Sequence, residues 1–251
     1  MPRLPKSKLN TNFIHVVTQG INREFIFNTQ QQRCEYKKLM KKYKDEYHIQ
    51  IIAYCIMGNH VHILVYVKDI KNLTKYMHRI NTIYAIFYNK RNQRVGYVFR
   101  DRYKTQGIYY QKHLINCVSY IHNNPVVANI CKNPENYEFS SYNEYINNPK
   151  LINPKYFNKY IADIKDFLKI HKSKNYIRYL DIEDKKQVAI LLLNSFLKDN
   201  NINKQQLIEN KKLLNKIIKI LINNQISIRL ISEILGISNG ETKKIINGLR
   251  R

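Results

Sequence analysis

Two histidines one residue apart, His60 and His62, open the apolar run HVHILVYV (60–67). In a β-strand residues i and i+2 point to the same face, so the two imidazoles project together while Val61 and Ile63 turn the other way. A pair placed so can chelate one divalent cation if a third ligand arrives from elsewhere. An isolated pair of this kind is more often two solvated histidines at a hairpin end. A second polar group shifts that balance. His113, Asn116, Tyr120 and Asn124 recur at spacings of three and four, so on a helix they stack on a common face, opposite the apolar stripe of Leu114, Cys117, Val118 and Ile121. A tyrosine phenol can attack phosphorus and later leave as phenolate, which makes a covalent tyrosyl phosphate reversible. Asn124, one turn beyond Tyr120, offers a neutral carbonyl oxygen to a cation. The chain has 20 tyrosines, so Tyr120 is singled out by its place on the stripe and not by its type.

These side chains need a sheet and a helix to bring them together, and the sequence contains both. NFIHVVTQ (12–19) reads as a first strand, and the Lys-rich segment at about 29–47 as a helix with a sparse apolar side. HIQIIAYCIM (48–57) and HVHILVYV (60–67) are two strands joined by Gly58-Asn59, a two-residue link that suits a hairpin. Leu73, Met77, Ile80, Tyr84 and Phe87 mark an amphipathic helix at about 72–91. A strand near 97–108 (YVFRDRYKTQGI) follows, then a helix at about 111–122 that is expected to stop at Asn124-Pro125. The order β-α-β-β-α-β-α predicts an α+β fold: a ferredoxin-like, RNA-recognition-motif-like antiparallel sheet with helices on one face.

From about residue 155 the pattern is helical throughout. The expected division is a catalytic domain at 1–150 and a helical C-terminal region at 151–251. Within the latter, about 226–249 reads as a helix-turn-helix: Ile228, Ile231, Ile234 and Leu235 face inward, Gly236 permits a sharp turn, and Ser238 with Glu241 forms a capping box. Its second helix would carry Lys243 and Lys244 to DNA; an ordinary helical hairpin has the same pattern.

The chain carries 43 Lys and Arg against 18 Asp and Glu, a net charge of +25 that favours a polyanion. No apolar run approaches the roughly 18 residues of a membrane span, so nucleic acid is the expected partner and a membrane is not. Both parts share the excess, with 23 basic and 9 acidic residues in 1–150 and 20 and 9 in 151–251, so charge does not confine the partner to either. Cys34, Cys55, Cys117 and Cys131 are scattered without a CxxC pair, which excludes a zinc knuckle or disulfide scaffold and fits a reducing cytosol. The basic opening segment MPRLPKSKLN lacks the apolar stretch of a signal peptide, so a cytoplasmic, nucleoid-associated prokaryotic protein is expected.

MGNHVHILV followed by CVSYIHNNPVVANI resembles the single-tyrosine HUH transposases, "U" being a hydrophobic residue. Within them it is most similar to the REP-associated tyrosine transposases of the insertion-sequence-200-like superfamily. The resemblance spans about residues 10–146 and includes VFRDRYKTQGI and SSYNEY. It implies that His60 and His62 are metal ligands, that Tyr120 is the nucleophile, and that Asn124 stands where some relatives have a Gln as third ligand. It further implies Mg²⁺ or Mn²⁺ as cofactor, single-stranded DNA near a hairpin or palindrome as substrate, and a 5′-phosphotyrosine intermediate. Arg79, Arg100, Arg102 and Lys104 are candidates for holding the DNA backbone, with His113, Asn116 and His122 as candidate proton carriers or further contacts. A homodimer that exchanges its tyrosine helices and a monomer both remain open. Two other readings stand beside this one: an HUH replication initiator or relaxase-type nuclease, and a non-catalytic nucleic-acid-binding regulator.

Overall fold

A computed structural model describes residues 11–172, 185–223 and 226–249; the N-terminal segment in which a signal peptide was sought lies outside them. β1 (Phe13–Gln19), β2 (Gln50–Ile56), β3 (His60–Tyr66) and β4 (Lys104–Ile108) form one antiparallel sheet in the order β2-β3-β1-β4. α1 (Gln30–Tyr43) connects β1 to β2, and α2 (Ile70–Arg91) connects β3 to β4. This is the expected α+β, ferredoxin-like topology. α1 starts on a capping box between Thr29 and Gln32, and α2 on the Asp69 side chain, which accepts from the Lys71 N–H.

α1 and α2 cover the sheet face of Ile14, Val16 and Thr18, where the Asn81 amide of α2 donates to Thr18 Oγ1 at 3.2 Å. Phe27, Tyr36 and Tyr84 pack there edge to face or tilted, and the buried hydroxyls find acceptors, Tyr36 on Asn81 Oδ1 at 2.8 Å and Tyr84 on the Ile26 carbonyl. The helices are not all on this side, however. α3 (Gln111–Val127) packs on β2 and β3 from the opposite face, because its stripe of Tyr120 and Asn124 meets the histidine face of β3.

α3 also runs past the point where it was expected to stop. Pro125 lies in its last turn, where the missing N–H removes only the bond to the Ile121 carbonyl. The helix then closes through the Ala128 N–H on the Asn124 carbonyl (3.0 Å) and the Ile130 N–H on the Pro125 carbonyl (2.9 Å), with Asn129 left-handed at φ 56°. Asn124 therefore sits inside the helix, a full turn from Tyr120. β4 is shorter than expected, because residues 97–103 cross the end of β1 with a single bridge between Gly20 and Phe99.

The first compact unit spans Asn10–Tyr176 and so extends beyond residue 150. α4 (Tyr142–Ile146) holds Glu144, whose Oε2 accepts from the N–H groups of Lys150, Leu151 and Ile152 while Oε1 accepts from the Tyr54 hydroxyl at 2.7 Å. That turn feeds α5 (Lys155–Asn158) and α6 (Ile164–Lys172) back onto the unit, burying Phe157 and Phe167 against Tyr145. α6 is tied to α3 by polar side chains. Ser119 Oγ donates to the Ile170 carbonyl and Asn123 Nδ2 to the His171 carbonyl, which satisfies two of the carbonyls that a helix C-terminus leaves open.

A chain of buried hydrogen bonds completes this contact. His171 Nδ1–H donates to the Phe167 carbonyl (2.7 Å), so its Nε2 accepts from His122 Nδ1–H (2.8 Å), and His122 Nε2 accepts from the Ser141 hydroxyl (2.7 Å). Both imidazoles are neutral. Burial drives His122 well below the usual histidine value, with His171 adding to the effect, and lowers His171 to about 4.

The second unit, described from α7 (Lys185–Asn200) onward, is all helical: α8 (Lys204–Glu209), α9 (Lys211–Asn223), α10 (Ile228–Leu235) and α11 (Asn239–Gly248). Its core includes Leu192, Leu207, Ile217, Leu221, Ile231 and Leu235. Gly236, at φ 74°, closes α10 in the left-handed conformation that a side chain would disfavour. Ser238 then caps α11 by accepting from the Glu241 N–H at 3.1 Å, and a buried Ser232–Thr242 hydroxyl pair (2.7 Å) ties the two helices together. Among the described residues no helix is long and apolar enough to cross a membrane.

The buried neutral imidazoles set a pH dependence. Below pH 6.5 the unfolded chain takes up a proton at His171 that the folded chain refuses until about pH 4, so the stability that neutral His171 contributes is lost as pH falls through that window and that loss levels off beneath it. About 3 kcal/mol is at stake for His171, and urea melts at pH 7.5 and pH 4.5 measure it. His171→Gln is expected to flatten the slope.

Candidate active site

Strand alternation places His60 and His62 on one face of β3, and the β1–β3 register carries that face across the sheet. Gln19 lies opposite His60, Val17 opposite His62, and Leu64 opposite His15. His15 therefore shares the face, as do Lys104 and Gln106 of β4, which lie opposite Val17 and His15. Over this surface α3 presents Tyr120 and Asn124. The Tyr120 ring stands edge-on to His62 at 5.4 Å between centroids and to His15 at 6.2 Å. The His60 and His62 rings are 4.8 Å apart. His15, His62, Tyr120 and Asn124 are all buried, and His60 is half-buried at the rim.

The hydrogen bonds fix how the imidazoles are oriented. Asn124 Nδ2 donates to His62 Nε2 at 3.2 Å, so the His62 proton resides on Nδ1, which faces His15 Nε2 at 3.0 Å. His60 Nδ1 lies 2.6 Å from Asn59 Oδ1, an acceptor only, so Nδ1 carries the proton there too. Both histidines thus carry their lone pair on Nε2, and that of His62 is engaged by the Asn124 amide, which a cation bound there would have to displace. The Asn124 carboxamide brings an oxygen on the same group, and these three neutral donors fit a hard-to-borderline divalent cation with mixed N and O ligation. Among the described residues no cluster of three or more His, Cys, Asp or Glu side chains could hold a metal ion.

The other residues singled out from sequence divide by position. Lys104 lies on the histidine face, two strands from His62. Arg100 and Arg102 are exposed in the segment before β4, and the Arg100 N–H donates to the Gln19 carbonyl, at the His60 end of the sheet. Asn116 is half-buried one turn before Tyr120. Arg79 is on the wrong side of the sheet for this site: it lies on α2 over the Tyr43 ring, 5.3 Å from its centroid. His113 and His122 are also unsuited to a DNA contact: both are buried and kept neutral by burial, His113 lowered to about 3, and His122 is committed to His171 and Ser141. Lys243 and Lys244 are exposed on α11 in the second unit.

Sequence reading missed His15 and Asn59. His15 is a polar residue at full burial inside the apolar run FIHVVTQ, and a buried polar residue is the informative kind. The SSYNEY segment, by contrast, serves the fold, with Ser141 on His122 and Glu144 under the 150–152 turn.

Residues 8–124 match the family model described as "Transposase IS200 like". Among solved structures, a REP-associated tyrosine transposase bound to a REP hairpin is similar in fold, with a TM-score of 0.50 and 16% identity over 58% of this chain and 86% of that one. No curated protein matches the chain.

The hairpin tip that carries His60 depends on Gly20, whose N–H donates to the Asn59 carbonyl at 2.9 Å. A Cβ there would lie against the Glu24 carbonyl oxygen and 3.1 Å from Ile26 Cγ2. Gly20→Ala is therefore expected to cost about 1–3 kcal/mol in chemical denaturation and to shift the His60 ring resonances; an unchanged midpoint would refute the constraint.

Proposed function

We propose, from the premise that residues 8–124 belong to the IS200-like transposase family, that the chain cuts and rejoins single-stranded DNA through Tyr120. The observation that carries this reading is the placement of the Tyr120 ring 5.4 Å from His62, on the face that also bears His60 and Asn124. Tyr120 Oη attacks the phosphorus in line, the bond from phosphorus to the 3′ oxygen breaks, and the phenolic proton is balanced by the one the 3′ oxygen gains. The products are a 5′-phosphotyrosine and a free 3′-OH, and a 3′-OH from another strand end reverses the step without ATP. His60, His62 and Asn124 would hold Mg²⁺ or Mn²⁺, which supplies Lewis-acid polarisation of the phosphoryl group. Packing of α3 on the sheet orients Tyr120, and its burial keeps bulk water from the nucleophile.

The substrate is an unpaired strand beside a hairpin, as suits a phosphate that must leave a duplex to reach a sheet face. Lys104, Arg100 and Arg102 line the approach as backbone contacts. α10 and α11 form a helix-turn-helix whose exposed Lys243 and Lys244 meet duplex DNA. The protein works in the cytoplasm on the nucleoid. Within one chain Tyr120 already stands beside His62, which supports a reading in which Tyr120 acts in cis.

Incubation with single-stranded hairpins and Mn²⁺ is expected to give a covalent adduct on a denaturing gel. Tyr120→Phe should abolish the adduct and keep DNA affinity, whereas a non-catalytic binder would form no adduct at all. Mixing Tyr120→Phe with the His60→Ala, His62→Ala double variant should not restore cleavage; restoration would establish tyrosine exchange between subunits. A chain ending after residue 176 should still cleave while binding its sites more weakly, and equal binding would remove the role given to α10 and α11.

A further inference from the structure

His15 borders the site on the same sheet face as His62. It is at full burial in β1, its ring is stacked on His62 at 5.1 Å and 22°, and its Nε2 lies 3.0 Å from His62 Nδ1. An imidazole buried in an otherwise apolar strand carries a desolvation cost that only a hydrogen bond offsets. The direction of that bond follows from the other side of His62, where Asn124 Nδ2 can only donate and Nε2 must accept. His62 Nδ1–H therefore donates to His15 Nε2. This leaves His15 with no role as a ligand through that nitrogen, and with a definite one toward its neighbour.

We infer that His15 is a positioning residue that holds His62 in the tautomer whose Nε2 faces Asn124. A metal-binding histidine depends on such a partner for its ring orientation and its basicity. The inference rests on the metal reading given above and extends it to a residue that touches neither cation nor phosphate. His60 is served differently, by Asn59 Oδ1 at the half-exposed hairpin tip, where the donor group is adjacent in the chain. For His62, deep in the sheet, the acceptor has to come from the neighbouring strand. His15 also lies edge-on to Tyr120 at 6.2 Å, so one ring sets the angle of the ligand and packs against the nucleophile.

The decisive experiment combines two measurements on the full chain. Long-range proton–nitrogen spectra of the metal-free wild type should show His62 protonated on Nδ1; protonation on Nε2 overturns the inference, whatever any variant does. Mn²⁺ binding followed by electron paramagnetic resonance should weaken about ten- to a hundredfold in His15→Phe, which keeps a ring but no acceptor. In His15→Gln, whose side-chain carbonyl can take the Nδ1 proton, binding should return to near the wild-type value. If His15→Phe binds Mn²⁺ as the wild type does while His60→Ala loses it, the role of His15 falls and the metal site stands. If removal of both His60 and His62 leaves Mn²⁺ binding unchanged, the metal reading falls and this inference with it.

Discussion

The register between β1 and β3 is the constraint on which the site depends. Side chains alternate along a strand with a period of two, so sliding β3 by one residue against β1 would send His60 and His62 to the face covered by α1 and α2. The apolar residues enforce the observed pairing. Ile14, Val16, Val61, Ile63 and Val65 all turn toward the α1–α2 side and are fully buried there. The hydrophobic pattern of one face thereby fixes the chemistry of the other, and His15 is matched to His62 by the same register that packs Val16 against Ile63.

α3 meets the sheet under a second constraint, because two neighbours compete for its polar residues. In the run SYIHNN, Tyr120 and Asn124 look at the histidine face, while Ser119, His122 and Asn123 are committed to α6 and to Ser141. Rotation of the helix would break bonds on both sides at once. Such buried polar networks rigidify a structure when every member is satisfied, and here the neutral His122–His171 pair is satisfied from the Phe167 carbonyl to the Ser141 hydroxyl. The segment 151–172 is in this sense part of what orients the tyrosine, although it lies beyond the matched family region.

Much of this was legible in the residues. The element order, the hairpin at Gly58-Asn59 and the face shared by His60 and His62 follow from periodicity and turn chemistry, which are local. The stripe of Tyr120 and Asn124 was legible for the same reason. What escaped was non-local. That α3 lies on the opposite face from α1 and α2, and that Arg79 is stranded on the far side, depends on which face each helix buries, and periodicity says only that it buries one. Pro125 looked like a terminator because local rules weigh the lost bond, whereas packing on the sheet and α6 carries the helix one turn further. His15 escaped because its significance is a cross-strand relation 47 residues away.

The donor set has a consequence for the order in which the parts assemble. Two imidazoles and a carboxamide bear no formal charge, so a cation held by them alone gains little from Coulomb attraction. On the proposed function a scissile phosphate would bring the missing negative charge, and its arrival and the cation's would reinforce each other, each raising the other's affinity by the same factor. A pocket built this way would be poorly armed when empty and competent only around a bound strand, a thermodynamic safeguard for the activity proposed above.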